Sequence, residues 1–221
     1  MKSIVEPNTI YTISYSQPAE YHFSLDSVFL PQRIDKWLEE KKIRPQNVAD
    51  MCSGSGVVGL ELLFHLCHRQ SAPKKIDFIE IQNGYVSHFE KNKQKMQNLL
   101  NDFTPVNLIL GNYENLIDEP GQQSIYDLIV CNPPYFHLGE GTLSPSEFKN
   151  RCRYFIDSDF SHLLKWFKSA LTSEGSAFLL IRTENSMTLS MVKRLANQQG
   201  LAVEVLGDVR GSEYLRMSRL K

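Results

Sequence analysis

The segment "NPPY" offers an amide, two rigid backbone positions and an aromatic ring in four consecutive residues, Asn132 to Tyr135. It directly follows the apolar run "DLIVC", which is typical of a buried strand. Pro133 and Pro134 fix their own backbone angles and keep the preceding residue extended, so the Asn132 side chain is held in one direction. Its amide oxygen and a backbone carbonyl of the corner are acceptors suited to a planar NH2 group. We therefore expect this corner to bind an amino nitrogen, with Tyr135 stacking on the group that carries it.

A glycine-rich turn, "SGSGVVG", carries Gly54, Gly56 and Gly59 in G-x-G-x-x-G spacing between a predicted strand and a predicted helix. Glycines allow a sharp turn and a close approach of a ligand, and the helix N-terminus supplies free N–H groups. Glu80 ends the next predicted strand, 21 residues after Gly59, where its carboxylate can accept from both hydroxyls of a ribose. This spacing fits a nicotinamide dinucleotide as well as S-adenosylmethionine. Asp50, just before the turn, favours the second because the methionine end of that molecule is cationic.

Short apolar strands alternate with helices from Asn47 onward, which is typical of a mostly parallel sheet covered by helices on both faces. The two strands predicted in residues 201–220 indicate one antiparallel edge strand. We therefore expect an α/β fold, a Rossmann-like doubly wound sheet of seven strands. In such a sheet the first and fourth strands are neighbours, so the glycine-rich turn and the Asn132 corner should meet in one crevice.

The N-terminal part is predicted to be an extension of this domain. Residues 1–45 are expected to form a small hairpin around Gln17 to Ala19 and a helix from about Ser27 to Lys42, and residues 46–221 the main domain. The start of the chain lacks the pattern of a signal peptide, and no apolar run is long enough for a membrane-spanning helix. The four cysteines are widely separated, so we expect free thiols and a cytoplasmic protein.

Three segments carry a family resemblance. "DMCSGSGVVG", "FIEIQ" and "NPPY" together resemble the class I S-adenosylmethionine-dependent methyltransferases that methylate amino groups. "FSLDSVFLP", residues 23–31, is similar to the segment that precedes the catalytic domain in bacterial tRNA(Val) adenine-N6 methyltransferases. The resemblance implies S-adenosylmethionine as the cofactor, no metal, and methyl transfer to the N6 amine of an adenine that is splayed out of a tRNA.

The resemblance also implies roles for particular residues. Cys52 stands where the family has the first glycine of the turn, and Asn112 where it usually has Asp, so a wider turn and weaker binding of the donor's adenine are expected. The residues expected to bind the donor are Asp26, Asp50, Cys52, Gly54, Gly56, Glu80, Ile81, Asn112 and Asn132. Those expected at the target base are Asn132, Pro133, Pro134 and Tyr135. Those expected to contact RNA are Tyr135, Phe136, His137, Lys149, Arg151 and Arg153.

Other functions fit part of the pattern. A glutamine side chain presents the same planar NH2, so a protein glutamine-amide N5 methyltransferase is an alternative, as is a ribosomal RNA guanine-N2 methyltransferase. A dehydrogenase or a non-catalytic cofactor-binding protein would use the turn and Glu80 but not the Asn132 corner. The near-neutral net charge of −1 does not point to nucleic acid. The basic and aromatic residues after the corner nevertheless favour RNA, so we expect tRNA as the partner. The sequence does not predict the oligomeric state, although a monomer is slightly favoured.

Overall fold

The computed structural model describes residues 10–100, 104–121, 123–183 and 187–221, as seven helices and nine strands in the described ranges. The helices are α1 (Asp26–Glu40), α2 (Val57–His68), α3 (Val86–Leu99), α4 (Tyr113–Leu116), α5 (Glu147–Arg153), α6 (Phe160–Ala170) and α7 (Leu189–Gln198). The strands are β1 (Asn47–Met51), β2 (Lys75–Glu80), β3 (Val106–Leu110), β4 (Tyr126–Cys131), β5 (Phe136–His137), β6 (Tyr154–Phe155), β7 (Leu171–Ile181), β8 (Leu201–Val209) and β9 (Ser212–Arg219).

Seven strands form one sheet in the order β3-β2-β1-β4-β7-β9-β8, and β5 and β6 form a separate pair. Strands β1, β2, β3, β4 and β7 run parallel, and β9 is antiparallel to both of its neighbours. The antiparallel character therefore lies at the C-terminal side of the sheet, as predicted. The chain winds outward from β1 to β3 and then crosses to β4 on the other side of β1. Parallel sheets that reverse direction in this way open a crevice at the carboxyl ends of the two central strands.

The sheet is buried on both faces because neighbouring residues of its strands point in opposite directions. Val48 and Phe78 belong to a cluster that includes residues of α1, α2 and α3, whereas Ala49 and Ile79 belong to a second cluster that includes residues of α6 and α7. The central strands are accordingly apolar along most of their length, as the sequence predicts for a doubly wound sheet. This alternation decides which side chains at the strand ends can face the crevice.

The predicted N-terminal hairpin is wrong for the described residues 10–25, which contain no strand; Thr9 lies outside them. Their alternating pattern reflects packing onto the helices rather than pairing with each other. The predicted helix is confirmed as α1, and its Leu30, Ile34 and Leu38 are buried in the same cluster as α2. The helix predicted to continue to Gly175 ends at Ala170 instead, because β7 begins at the next residue.

All four cysteines are free, as predicted. Among the described residues, no helix has both the length and the apolar character required to cross a membrane.

Candidate active site

A cleft opens at the carboxyl ends of β1, β2, β3 and β4. This is where ligands bind in open α/β sheets. Its wall includes Gly54 after β1, Glu80 at the end of β2, Asn112 after β3 and Asn132 after β4. The predicted meeting of the glycine-rich turn and the Asn132 corner is therefore confirmed.

The glycine-rich turn reverses the chain between β1 and α2 through three residues with positive φ. Cys52, Gly54 and Gly56 have φ values of 58°, 54° and 84°. A Cβ atom at Gly56 would approach the Phe89 ring to 2.9 Å, so this glycine is required by packing and does not itself line the cleft. Cys52 takes the left-handed conformation where the family has a glycine, so the turn is retained, and Cys52 lines the cleft.

Glu80 holds the turn against the end of β2. Its Oε2 accepts from the Gly54 N–H at 2.8 Å, and its Oε1 accepts from the Gln82 N–H at 2.8 Å. Burial raises the pKa of this carboxyl, and these backbone N–H groups oppose the rise. A carboxylate has about four acceptor positions, so acceptor capacity remains beside these backbone N–H groups for a hydroxyl entering the cleft. This fits the predicted contact with the two hydroxyls of a ribose.

Two acidic residues predicted to bind the donor do not line the cleft. Asp50 is fully buried, and its Oδ2 accepts from the Gly59 N–H at 2.8 Å. Its position in β1 points it toward α2, on the face opposite to Met51, which does line the cleft. Asp26 is also buried, at the start of α1, where its Oδ1 lies 3.4 Å from Arg210 Nε. Neither residue lines the cleft, so direct contact of Asp50 and Asp26 with the donor stays a prediction.

The Asn132 side chain is oriented by hydrogen bonds at both of its ends. Its Nδ2 donates to Ser27 Oγ at 3.0 Å, and its Oδ1 accepts from the Tyr135 hydroxyl at 2.5 Å. A carbonyl oxygen has two lone pairs, so one acceptor position of Oδ1 remains for a substrate amine. Pro133 and Pro134 line the cleft, and the Tyr135 N–H donates to the Arg153 carbonyl at 3.1 Å. The corner is thus fixed by three separate contacts.

Tyr135 has a contact that its sequence context did not predict. The Arg182 guanidinium carbon lies 5.3 Å from the centroid of the Tyr135 ring. One face of the ring is therefore covered by a cation, and a base can stack only on the other. Burial raises the pKa of Tyr135, so its hydroxyl is protonated at neutral pH and can donate to Asn132.

Asn112 also differs from its expected role. Its Oδ1 accepts from the Glu114 N–H at 3.0 Å, which caps α4, and its Nδ2 donates to the Asp157 carbonyl at 2.9 Å. It lines the cleft as predicted, together with Ile81. Its main contribution here is to hold the segment after α5 against the end of β3.

The residues predicted to contact RNA are divided by the structure. Arg151 lines the cleft, but its Nε lies 3.0 Å from Asp157 Oδ2 and its Nη1 lies 3.8 Å from Glu147 Oε2. Its charge is therefore balanced. Four other residues that were predicted to contact RNA do not line the cleft: Phe136, His137, Lys149 and Arg153.

The wall of the cleft also includes N-terminal residues that sequence reasoning missed. Residues 10–24 run in an irregular path across α2 and α3, so no periodic pattern marks them. The segment "FSLDSVFLP" was the one signal, and it pointed to Asp26 rather than to its serine neighbours. The missed residues of the wall in this region are Gln17, Tyr21, Phe23, Ser24 and Ser27.

Comparison with known proteins agrees with this architecture. The family model described as "Conserved hypothetical protein 95" matches residues 32–142. A tRNA1(Val) (adenine(37)-N6)-methyltransferase of Shewanella sediminis is 27% identical over 147 residues, which cover 66% of this chain and 56% of that protein. The enzyme of the same name from Vibrio campbellii is 30% identical over 179 residues, which cover 80% and 66%. The chain thus spans between about half and two thirds of the length of these curated relatives, and the resemblance found in its motifs is confirmed.

Among solved structures, a 16S rRNA N2 G1207 methyltransferase of T. thermophilus, in complex with AdoMet and guanosine, superposes with a TM-score of 0.61. That alignment covers 92% of this chain and 45% of the other at 18% identity, so it concerns the fold alone. The match to the family model covers half of the chain and includes the glycine-rich turn, Glu80 and the Asn132 corner. The chain therefore belongs to the family described as "Conserved hypothetical protein 95" and has the Rossmann-like fold of the methyltransferases.

Proposed function

We propose that the protein is an S-adenosylmethionine-dependent N-methyltransferase that methylates the N6 amine of an adenine in tRNA. The single observation that carries the proposal is the position of the Asn132 amide. Its oxygen lies in the same cleft as Gly54 and Glu80, with a free acceptor position. A site that only bound a dinucleotide would not need this amide.

The residues of the turn would hold the donor. Glu80 has remaining acceptor capacity for a ribose hydroxyl, and Cys52, Gly54 and Ile81 line the same wall. S-adenosylmethionine, when bound, supplies an electrophilic methyl group on a sulfonium. Asp50 would act indirectly, because its carboxylate fixes the first turn of α2 through Gly59 rather than touching the ligand.

The corner would hold the amine. Oδ1 of Asn132 accepts one of the amine hydrogens. The hydrogen bond that Asn132 donates to Ser27 and the one that it accepts from Tyr135 keep the amide from rotating. An amine held by acceptors presents its lone pair in one direction, which favours attack on a positioned electrophile. The released proton passes to solvent.

The names of the relatives support adenine in tRNA over other acceptors. Relatives from several species are named tRNA1(Val) (adenine(37)-N6)-methyltransferase. A tRNA substrate would also place the protein in the cytoplasm. Residues 1–45 would form an extension of the main domain and complete the wall of the cleft.

The test is methyl transfer from deuterium-methyl-labelled S-adenosylmethionine to unmodified bacterial tRNA, followed by nucleoside mass spectrometry. Labelled N6-methyladenosine is expected. Asn132→Ala should lower kcat by at least about 100-fold, in the range found when one positioned hydrogen-bonding group is lost from an active site. Tyr135→Phe should lower it less, because Ser27 still holds the amide.

The matched control is Asn98→Ala, an exposed asparagine on α3, which should leave kcat unchanged. Donor binding by calorimetry should be retained in the Asn132 variant. Labelled N2-methylguanosine, or a labelled glutamine after incubation with protein extract, would show that the acceptor is different and that the adenine assignment is wrong.

A further inference from the structure

Three arginines near the Asn132 corner lie over aromatic rings. The Arg182 guanidinium carbon is 5.3 Å from the Tyr135 ring centroid. The Arg153 guanidinium carbon is 5.4 Å from the Phe136 ring centroid and 5.5 Å from the Tyr154 ring centroid. The Arg210 guanidinium carbon is 6.0 Å from the Phe29 ring centroid. An aromatic ring attracts the guanidinium group that lies over it but leaves the positive charge of that group in place.

Two of these arginines have no carboxylate within ion-pair distance in the described part of the chain. Arg151 is paired with Asp157, and Arg210 Nε lies 3.4 Å from Asp26 Oδ1. Neither Arg153 nor Arg182 has such a partner among the described residues, and Arg182 Nε is buried without a hydrogen bond there. In a protein of net charge −1, two cations that lie beside one cleft without an ion-pair partner among the described residues require an explanation.

Arg153 and Arg182 also act on the same part of the cleft. Burial raises the pKa of Tyr21, a residue of the wall, and both arginines oppose that rise. Arg153 is further tied to the corner, because its carbonyl accepts from the Tyr135 N–H. The two cations thus approach the mouth of the cleft next to the corner that would hold the amine.

We propose that Arg153 and Arg182 bind the phosphate groups of the RNA strand on either side of the adenine that enters the cleft. This inference rests on the proposed function. A nucleotide splayed from a strand brings one phosphate on its 5′ side and one on its 3′ side, which suits two separate, unpaired guanidinium groups. Most of the specificity would lie in the cleft, and the arginines would supply affinity that does not depend on sequence.

The arginines and the rings beside them together favour a polynucleotide over an acidic peptide. A guanidinium group presents its N–H groups as a planar fork, which matches the oxygens of a phosphate in pairs. The rings themselves, Tyr135 and Phe136, are faces on which unpaired bases can stack. An acidic peptide would use the charge of the arginines but not these rings.

The experiment measures the affinity of the full chain for unmodified tRNA by fluorescence anisotropy at several salt concentrations. Each phosphate contact that is lost should reduce the slope of log Kd against log salt by about 0.7 to 0.9. Arg153→Gln and Arg182→Gln are each expected to show this reduction, and the double variant about twice as much. Arg182→Lys keeps the charge and should retain most of the slope.

Arg216→Gln is the matched control. Arg216 also lies over a ring, 4.9 Å from the Trp37 centroid, but it is paired with Glu204 at 3.0 Å and does not line the cleft. Its slope should equal that of the wild type. Thermal unfolding of each variant checks that the fold is intact.

The outcomes separate this inference from the proposed function. Unchanged slopes in Arg153→Gln and Arg182→Gln, with wild-type methylation of adenine intact, would overturn the phosphate contacts alone. Wild-type binding of tRNA without transfer of methyl to adenine would overturn the proposed function, and the slopes would still decide the role of the arginines. No binding of tRNA by the wild type would overturn both.

Discussion

The Asn132 corner shows which features of the site a short motif predicts and which depend on the packing around it. The two prolines after it predicted a rigid corner, and the side chain does lie at the end of β4 in the cleft. The sequence did not predict that Ser27, more than one hundred positions earlier, accepts from its Nδ2. Nor did it predict that Tyr135 donates to the amide oxygen. The orientation of the amide is therefore a property of the packed site.

The buried carboxyl of Asp50 should make the free energy of unfolding depend on pH. Burial raises the pKa of its carboxyl from the ordinary value of 3.8 to about 8, opposed by the Gly59 N–H and increased by Glu80. The folded state thus binds this proton more tightly than the unfolded state does. The free energy of unfolding due to Asp50 is greatest below pH 4, falls as the pH rises toward 8, and is constant above it.

Asp50→Asn isolates this effect, because an amide oxygen can still accept from Gly59. The difference in unfolding free energy, wild type minus variant, should fall between pH 5 and pH 8 by up to about 1.4 kcal/mol per pH unit. Urea unfolding at four pH values measures it. A difference that does not vary with pH would mean that Asp50 is ionised in the folded protein.

At the scale of elements, α3 connects the N-terminal segment to the glycine-rich turn. Asn92 is fully buried, accepts from the Ser16 N–H at 2.6 Å, and donates to the Ser16 and Ser55 carbonyls at 2.9 Å. Glu61 of α2 accepts from the Thr12 N–H at 3.0 Å and from the Thr12 hydroxyl at 2.7 Å. These contacts hold residues 10–24 where they form one wall of the cleft.

Asn92→Ala should therefore disturb both stability and the site. The variant leaves buried backbone groups of Ser16 and Ser55 without partners, each at a cost of about 1–3 kcal/mol. We expect the free energy of unfolding to fall by about 2–4 kcal/mol, and S-adenosylmethionine to bind more weakly in calorimetry at a temperature where the variant is folded. Asn98→Ala, on the exposed face of the same helix, is the control. Equal donor affinity in both variants would show that the N-terminal segment does not shape the donor site.

At the scale of the molecule, the cleft is assembled from segments that are far apart in sequence. Its wall includes Tyr21 from the N-terminal segment, Gly54 after β1, Asn132 after β4 and Cys152 in α5. A ligand that touches these segments together binds the folded state and not the unfolded chain. It should therefore raise the unfolding temperature.

S-adenosylhomocysteine, the product of the proposed donor, tests this directly. At about 100 times its Kd it should stabilise the protein by about 2.7 kcal/mol, which corresponds to roughly 5–10 °C for a domain of this size. NAD at the same concentration should not shift the unfolding temperature, because we propose that the cleft binds S-adenosylmethionine and not a dinucleotide. A shift with NAD alone would support the dehydrogenase alternative. Differential scanning fluorimetry distinguishes the two.

The sequence by itself determined the sheet, its mostly parallel order and the meeting of the turn with the Asn132 corner. These follow from local patterns: apolar strands, glycine spacing and the fixed angles of proline. Only the tertiary structure decided that Asp50 and Asp26 are buried away from the cleft, and that residues 10–25 form no hairpin. It also decided which arginines remain unpaired. Burial, side-chain direction and charge pairing depend on residues distant in the chain, so no local pattern can specify them.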